Sequence, residues 1–346
     1  MSSMPVILIR ADASSSIGLG HIARCMTLQQ ALQRAGFQIV FACAAIPDLL
    51  KSQIIRNGGK VEMIPHERTD ALSLGGIAHF NKAAAIILDS YQIDSDDQRQ
   101  LYSSGIPVII LDDLNDRGRL FASLIINSLP HAGLLGYEKT APDAILLAGL
   151  EYALLRTEFS QIAGTECRSS QRSRLLINFG GSDILRLSLP LSRALLDLDG
   201  DLPLTLITGS GYPKPEEAER LAGQYANVEH IHDCSDMASQ FLRAGLALAA
   251  PGSTIYELAA CQVPAVFLIC ADNQALSARA HEERGWCRVF DGRDNQQCRD
   301  AIISTLKLWN NPEQRDELQK STIGLVPIDG ADRIAKKIKR LVESNG

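Results

Sequence analysis

The sequence predicts an α/β protein with two doubly wound parallel-sheet domains. Short apolar runs alternate with helix-like stretches along the whole chain, and this alternation is typical of parallel strands that are connected by helices. Several runs are almost continuously apolar, as expected for strands that are covered on both faces. The length of 346 residues corresponds to about two domains.

The apolar runs predict strands in both halves of the chain. In the first half they lie at Val6–Arg10, Phe37–Ala42, Val61–Ile64, Ala84–Asp89, Val108–Leu111, Leu124–Asn127 and Ala144–Leu147. In the second half they lie at Leu175–Phe179, Leu204–Ile207, Val228–Ile231, Leu246–Ala249, Ala265–Ile269 and Arg288–Phe290. Each half opens with a strand, a loop of small residues and a helix, so the two domains are predicted to share one plan.

A polar, aperiodic segment separates the two predicted sheets. We place the first domain at residues 1–160, a linker at 161–174 and the second domain at 175–328. The last segment, 329–346, predicts a helix with one apolar face and one basic face. Docking of this helix on the protein itself is the preferred interpretation, and membrane binding by a basic amphipathic helix is the alternative.

Composition and charge limit the partners and the compartment. A net charge of −6 argues against a broad basic surface for nucleic acid. No apolar run reaches the length of a membrane span, and the N-terminus lacks the basic region of a signal peptide. The eight cysteines are scattered without a CxxC pair, which is typical of reduced thiols in a cytoplasmic protein. We expect no obligate protein partner.

A loop rich in glycine and serine, residues 12–20, leads from the first strand to His21 at the start of a helix. Such loops and helix N-termini favour anions, and an imidazole placed there indicates catalysis. Gly18 and Gly20 loosely fit the dinucleotide fingerprint. The loop is too long for that motif, however, and the second strand ends without an acidic residue, so we expect no nicotinamide cofactor.

Glycine-rich loops also follow three predicted strands of the second half, at Gly180–Asp183, Gly209–Gly211 and Pro251–Thr254. Ligands of open α/β sheets bind outside the carboxyl ends of the strands, so this recurrence favours a phosphate-bearing ligand. Glu257 lies one turn inside the helix that follows the third loop, where a carboxylate can accept two hydrogen bonds from a ribose diol.

Motifs of the second half resemble a known nucleotide-sugar signature. Gly252-Ser253-Thr254-x-x-Glu257 is followed by Val263-Pro264 and then by Asp272-Asn273-Gln274. This series resembles the signature of two-domain GT-B glycosyltransferases of the MurG type. The resemblance implies two Rossmann-like domains that face a central cleft, with UDP bound by the second domain.

The chain as a whole resembles one branch of that superfamily, the PseG family. The motifs are Ser14-Ser15-Ser16-Ile17-Gly18-Leu19-Gly20-His21-Ile22-x-Arg24-Cys25, Leu88-Asp89-Ser90-Tyr91, Leu111-Asp112-Asp113, Gly149-x-x-Tyr152-Ala153-Leu154-Leu155-Arg156-x-Glu158-Phe159 and Gly180-Gly181-Ser182-Asp183. PseG enzymes are UDP-2,4-diacetamido-2,4,6-trideoxy-β-L-altropyranose hydrolases of pseudaminic acid biosynthesis, a pathway that serves flagellin and other surface glycans. The segment Asn127–His131 departs from the more polar run expected of the family.

The resemblance implies a metal-independent site without a cofactor, in which His21 is the catalytic residue. The implied sugar-binding residues are Tyr91, Asn273, Asp12 and Gly20. The implied UDP-binding residues are Gly180, Gly181, Gly252, Ser253, Thr254 and Glu257, with Glu257 on the ribose and the turn Gly252–Thr254 on the diphosphate.

The implied reaction is attack of water on the anomeric carbon, with inversion. UDP is a good leaving group, so stabilisation of its phosphates by helix N-termini and backbone N–H groups matters more than a strong general acid. An activated water is still needed, and His21 suits that task because the positive end of its helix favours the neutral ring.

Other polar residues near strand ends have open roles. Four aspartates would either position substrate or cap loops or helices: Asp12, Asp89, Asp112 and Asp113. Arg10 and Arg24 would balance diphosphate charge or pair with Asp12. His230 and His232 resemble half of a metal site without a third ligand.

Three other functions share most of these features. The first is a GT-B glycosyltransferase that passes the sugar to an acceptor, and the second is a UDP-sugar 2-epimerase. The third is a nucleotide-sugar-binding module, which has no use for His21. The sequence leaves the exact stereochemistry of the sugar and the oligomeric state open.

Overall fold

The computed structural model describes residues 4–14, 20–65, 70–160, 162 and 167–345. Over these residues the chain forms two parallel sheets, one of seven strands and one of six. The predicted α/β class with two parallel sheets is therefore confirmed.

The predicted strands are all present, with ends that differ by no more than one or two residues. The first sheet contains β1 (Val6–Ala11), β2 (Gln38–Cys43), β3 (Lys60–Met63), β4 (Ala83–Asp89), β5 (Val108–Leu111), β6 (Leu124–Asn127) and β7 (Ile145–Ala148). The second contains β8 (Arg174–Asn178), β9 (Leu204–Thr208), β10 (Val228–His232), β11 (Ala244–Ala249), β12 (Ala265–Ile269) and β13 (Cys287–Asp291).

Helices connect most of these strands. The first six are α1 (Gly20–Arg34), α2 (Asp48–Arg56), α3 (Asp70–Phe80), α4 (Ser95–Tyr102), α5 (Tyr137–Thr140) and α6 (Thr157–Ser160). The next four are α7 (Ser188–Leu198), α8 (Pro215–Ala222), α9 (Met237–Arg243) and α10 (Thr254–Ala260). The last four are α11 (Asp272–Glu282), α12 (Asn295–Trp309), α13 (Pro312–Lys320) and α14 (Gly330–Asn345).

Strand order defines one reversal point in each sheet. The first sheet runs β3-β2-β1-β4-β5-β6-β7, and the second runs β10-β9-β8-β11-β12-β13. In each sheet the chain first adds strands on one side of its opening strand and then crosses to the other side. The loops after β1 and β4, and those after β8 and β11, therefore flank the crevices where doubly wound sheets bind ligands.

The chain divides into two compact units. Unit 1 comprises Met1–Arg156 together with Asp329–Gly346, and unit 2 comprises Thr157–Ile328. No helix among the described residues combines the length and apolarity needed to cross a membrane. Each of the eight cysteines is a free thiol.

Strand β1 is buried on both faces in the middle of the first sheet. Ile7 and Ile9 pack with Leu28 of α1 on one face, whereas Leu8 packs with Leu74 of α3 on the other. All five side chains are fully buried. The apolar run is therefore continuous because alternate side chains fill two separate layers of the core.

The last helix, α14, forms part of the core of unit 1. Ile334, Ala335 and Ile338 make up its buried stripe and pack in the same cluster as α1. Gly330 lies directly against the backbone of Ala153, where a Cβ would overlap the carbonyl oxygen. The basic face of the helix is exposed.

A fully buried histidine lies in unit 2. The indole Nε1–H of Trp286 donates a hydrogen bond of 3.2 Å to Nδ1 of His281, and both side chains are fully buried. Burial, together with the charge of Arg284, lowers the pKa of His281 to about 3. Protonation would also place a hydrogen on the nitrogen that accepts from Trp286.

We expect unit 2 to lose stability as the pH falls below about 6.5, the ordinary pKa of histidine. The unfolded chain takes up a proton near that pH, whereas the folded unit keeps His281 neutral down to about pH 3. The unfolded state therefore binds more protons across this window, at a cost of about 2–3 kcal/mol between pH 7 and pH 4.5. His281→Gln keeps an acceptor for Trp286 and should remove most of this pH dependence.

Urea unfolding followed by tryptophan fluorescence measures this effect, because both tryptophans, Trp286 and Trp309, belong to unit 2. His79→Gln is the matched control, since His79 is exposed at the end of α3. If His281→Gln loses as much stability in acid as the wild type, His281 is not the cause of the pH dependence.

Candidate functional site

His21 lies at the reversal point of the first sheet. Helix α1 begins at Gly20, so His21 is its second residue, and Asp89 is the last residue of the adjacent strand β4. Residues 15–19 of the predicted glycine- and serine-rich loop lie outside the described residues. Because β1 and β4 are parallel neighbours, the residues at their carboxyl ends meet at one edge of the sheet.

The imidazole of His21 is held by a buried carboxylate. Its Nδ1 lies 2.6 Å from Oδ1 of Asp89, whose side chain is 1% exposed. Burial alone would raise the pKa of Asp89, but the charge and hydrogen bonds of Arg24 and the contact with His21 lower it to about 2. An ionised Asp89 can only accept, so Nδ1 of His21 carries a hydrogen, and in the neutral form of such a ring Nε2 is the proton acceptor.

Arg24 binds two carboxylates at once. Its Nε and one terminal nitrogen donate to Asp89 at 2.6 and 2.5 Å. The other terminal nitrogen donates to both oxygens of Asp113 at 2.9 and 3.0 Å. Arg24 therefore pairs with Asp89 and Asp113, whereas Asp12 pairs with Arg10; a role of Arg24 in balancing diphosphate charge stays a prediction.

Tyr91 joins the same network through its hydroxyl. The hydroxyl donates to Oδ2 of Asp113 at 3.1 Å, and the ring meets His21 edge to face with centroids 5.0 Å apart. Burial and the neighbouring Asp113 raise the pKa of Tyr91, so the phenol keeps its proton. About half of the side chain remains exposed, which leaves the phenol oxygen able to accept a further hydrogen bond.

A second network, of Arg117, Asp112, Tyr137 and Asn127, contacts the ring of Tyr91 through Arg117. The guanidinium of Arg117 lies 5.3 Å from the centroid of the Tyr91 ring and donates to Asp112 at 2.7 Å. The buried Tyr137 hydroxyl also donates to Asp112, and Asn127 donates to that hydroxyl at 2.8 Å. Asp112 and Asn127 thus hold other protein groups in place, each nearly fully buried.

Asp12 has a separate set of partners. Its carboxylate pairs with Arg10 at 2.7 Å and accepts the backbone N–H groups of Ala44 and Ala45. Burial raises the pKa of Asp12, but Arg10 and the two N–H groups outweigh it and the net direction is down. These contacts tie the ends of β1 and β2 together. Contact of Asp12 with a sugar stays a prediction, as does that of the exposed Gly20.

Unit 2 gathers four loops at the carboxyl edge of its sheet. Gly180 and Gly181 follow β8, Gly209 follows β9, the turn Gly252–Thr254 follows β11, and Asn273 follows β12. Since β9, β8, β11 and β12 are adjacent and parallel, these loops lie side by side. The predicted UDP-binding glycines therefore share one edge of one sheet.

The loops after β8 and β9 touch through their backbones. Gly211 donates its N–H to the carbonyl of Gly181 at 3.0 Å. A Cβ on Gly209 would lie only 2.5 Å from Cα of Gly181, so glycine is required there. Gly180 has φ +79°, in the left-handed region that glycine adopts readily.

The remaining predicted ligands of unit 2 differ in exposure. Glu257 is 3% exposed in the first turn of α10, and Thr254 before it is also buried. Ser253 and Asn273 are exposed. The assignment of these residues to ribose, diphosphate and sugar stays a prediction.

The two histidines of β10 share one hydrogen-bond partner. His230 and His232 both hydrogen-bond the hydroxyl of Thr208, at 2.8 and 3.0 Å. Among the described residues, no group of three His, Cys, Asp or Glu side chains has the arrangement of a metal site.

Two residues of the site escaped the sequence analysis, Arg117 and Tyr137. Both donate a hydrogen bond to Asp112, and neither belongs to a motif. For Arg24 the sequence did contain an indication of proximity to His21. Arg24 follows His21 by three residues and so lies on the same side of α1.

Comparisons of sequence give distant relatives. No protein-family model matches the chain. An uncharacterized protein of Methanocaldococcus jannaschii is 24% identical over 271 residues, which are 76% of this chain and 55% of that protein. The chain thus spans about half the length of this relative. A UDP-2,4-diacetamido-2,4,6-trideoxy-β-L-altropyranose hydrolase of Campylobacter jejuni is 25% identical over 241 residues, 67% of this chain and 80% of that enzyme.

Comparisons of structure cover almost the whole chain. MurG of Acinetobacter baumannii superposes with a TM-score of 0.69 at 16% identity, over 97% of this chain and 99% of that one. A putative UDP-N-acetylglucosamine 2-epimerase of Listeria monocytogenes gives a TM-score of 0.70 at 13% identity, over 100% and 98%. At these identities the likeness concerns the fold alone, and the chain shares with these two structures a GT-B-like fold of two parallel-sheet units.

Proposed function

We propose that this chain is a metal-independent UDP-sugar hydrolase that releases UDP from UDP-2,4-diacetamido-2,4,6-trideoxy-β-L-altropyranose in pseudaminic acid biosynthesis. The observation that carries the proposal is the 2.6 Å contact between Nδ1 of His21 and the ionised Asp89. It leaves Nε2 as a base. The C. jejuni relative that bears this activity in its name supports the choice of substrate.

In the proposed step, Nε2 of His21 removes a proton from water while the water oxygen bonds to the anomeric carbon. The bond from that carbon to the phosphate oxygen breaks, and its electron pair leaves with UDP. The imidazolium formed is stabilised by Asp89, as in other Asp–His pairs. Because water attacks from the side opposite UDP, the anomeric centre inverts.

The remaining residues take the roles that the sequence resemblance implies. Tyr91 and Asn273 bind the sugar, and the phenol oxygen of Tyr91 accepts from a sugar hydroxyl or amide N–H because its own proton goes to Asp113. Glu257 holds the ribose, and the turn Gly252–Thr254 holds the diphosphate beside Gly180 and Gly181.

The first prediction concerns the reaction itself. Enzyme and the UDP-linked altrose derivative, without any acceptor, should release UDP and a free sugar of inverted anomeric configuration, as followed by proton NMR. His21→Gln should lower kcat by about 10²–10⁴-fold, the usual worth of a general base, while UDP still binds. His79→Gln is the control, since His79 is an exposed histidine of the same unit.

Two outcomes of this assay would replace the hydrolase. UDP release that requires an added acceptor identifies a glycosyltransferase. A UDP-sugar product with altered ring stereochemistry identifies an epimerase. Normal turnover by His21→Gln removes His21 from the role of base.

The second prediction concerns the tautomer of His21. In Asp89→Asn, the amide can donate to Nδ1, so the hydrogen of the ring moves to Nε2 and the base is lost. Nitrogen-15 NMR should show the Nδ1–H form in the wild type and the Nε2–H form in the variant, with kcat lowered by about 10²-fold or more. An unchanged Nε2–H form in both proteins would contradict the proposed base.

The third prediction concerns UDP. Glu257→Gln should weaken UDP binding by about 10–100-fold in calorimetry, since hydrogen bonds to a charged group contribute about 1.5–3 kcal/mol. Glu313→Gln is the control, because Glu313 also lies in the first turn of a helix of unit 2 but is exposed. Equal affinity of both variants would exclude Glu257 from the UDP site.

A further inference from the structure

We propose that Arg24 is a positioning residue of this reaction, which neutralises Asp89 and Asp113 together and so keeps the ring of His21 free to accept a proton. This inference rests on the proposed function for its kinetic consequence. Its structural part concerns only the protonation of the Asp89–His21 pair and can be measured without substrate.

The geometry of Arg24 fits the task of joining two carboxylates. One edge of its planar guanidinium binds Asp89 through two nitrogens, and the remaining nitrogen binds both oxygens of Asp113. The planar fork holds its donors at fixed angles. The loop after β5 and the end of β4 are thereby fixed relative to α1, from which both Arg24 and His21 project.

The same contacts couple His21 to Tyr91. Asp113 accepts the hydroxyl of Tyr91 on the oxygen that also receives Arg24, and the Tyr91 ring lies against His21. The two residues that the sequence assigns to base and sugar are thus connected through one guanidinium. Loss of Arg24 would release both.

The charges around the Asp89–His21 pair explain why a cation is needed beside it. Among the described residues, the ionisable groups around the Asp89–His21 pair are Arg24 and Cys25 from α1, Tyr91 from the loop after β4 and Asp113 from the loop after β5. Cys25 donates its thiol to Asp89 and, like the phenol of Tyr91, stays neutral because burial raises the pKa of the group. Without Arg24, the negative charges of Asp89 and Asp113 would therefore be unbalanced, and the Asp89–His21 pair would bind an additional proton more readily.

The test uses the full chain labelled with nitrogen-15 and no ligand. The ring signals of His21, assigned as those lost in His21→Gln, are followed against pH. In Arg24→Gln the pair should take up its proton at a pH about 1–3 units higher than in the wild type, the usual effect of one nearby charge. Arg24→Lys keeps the charge and should titrate close to the wild type.

Arg34→Gln is the matched control, because Arg34 lies on the same helix but pairs with Asp332 at the surface. Asp113→Asn gives an expectation of opposite sign that does not depend on the folding of Arg24→Gln. It removes one anion, so the pair should bind its proton at lower pH. Coincident titrations of Arg24→Gln and wild type, or no change in Asp113→Asn, would overturn the proposal.

The kinetic arm follows UDP release against pH. In Arg24→Gln the acid limb of kcat/KM should move upward with the NMR titration, with activity at pH 7 lowered by about 10-fold or more. Arg24→Lys should lower kcat without moving the acid limb, because one ammonium cannot make all four hydrogen bonds.

A loss of activity in Arg24→Gln without displacement of the acid limb indicates a merely structural role and contradicts the proposal. A wild-type chain that shows the NMR effects but releases no UDP contradicts the proposed function instead.

Discussion

Parallel pairing of strands that are covered on both faces is the constraint on which the site depends. In unit 1, β1 lies between β2 and β4 with its side chains divided between two core layers. Parallel neighbours bring their carboxyl ends to one edge, so His21 after β1 meets Asp89 at the end of β4 although 68 residues separate them. The same rule gathers the glycine loops of unit 2.

The arrangement around His21 concentrates charge in a partly buried place. Such a group is costly unless each charge is paired. Here the guanidinium of Arg24 hydrogen-bonds two carboxylates. In the second network, Asp112 accepts hydrogen bonds from Arg117 and Tyr137. Asp89 at the end of β4 and Asp113 after β5 therefore hold the side chains of His21 and Tyr91 in place.

The sequence was sufficient for what depends on local pattern. Periodicity and apolar runs predicted each strand, and the loop before α1 singled out His21. Contacts between distant segments could not be predicted from the sequence. Arg24 follows His21 closely, but whether Arg24 binds phosphate, Asp12 or Asp89 depends on the order of the strands. Asp12 illustrates the same limit, because its burial against Arg10 and the N–H groups of Ala44 and Ala45 follows from the neighbouring position of β2.

The position of α14 has a consequence for the order of folding. Ile334 and Ile338 complete the core of unit 1 beside α1, yet every residue of unit 2 is synthesised between them and β7. During translation, the sheet of unit 1 emerges with the core layer beside α1 still lacking α14, and the whole sequence of unit 2 is available before that helix is made. Unit 2 can therefore finish folding on the ribosome before unit 1, although unit 1 is made earlier.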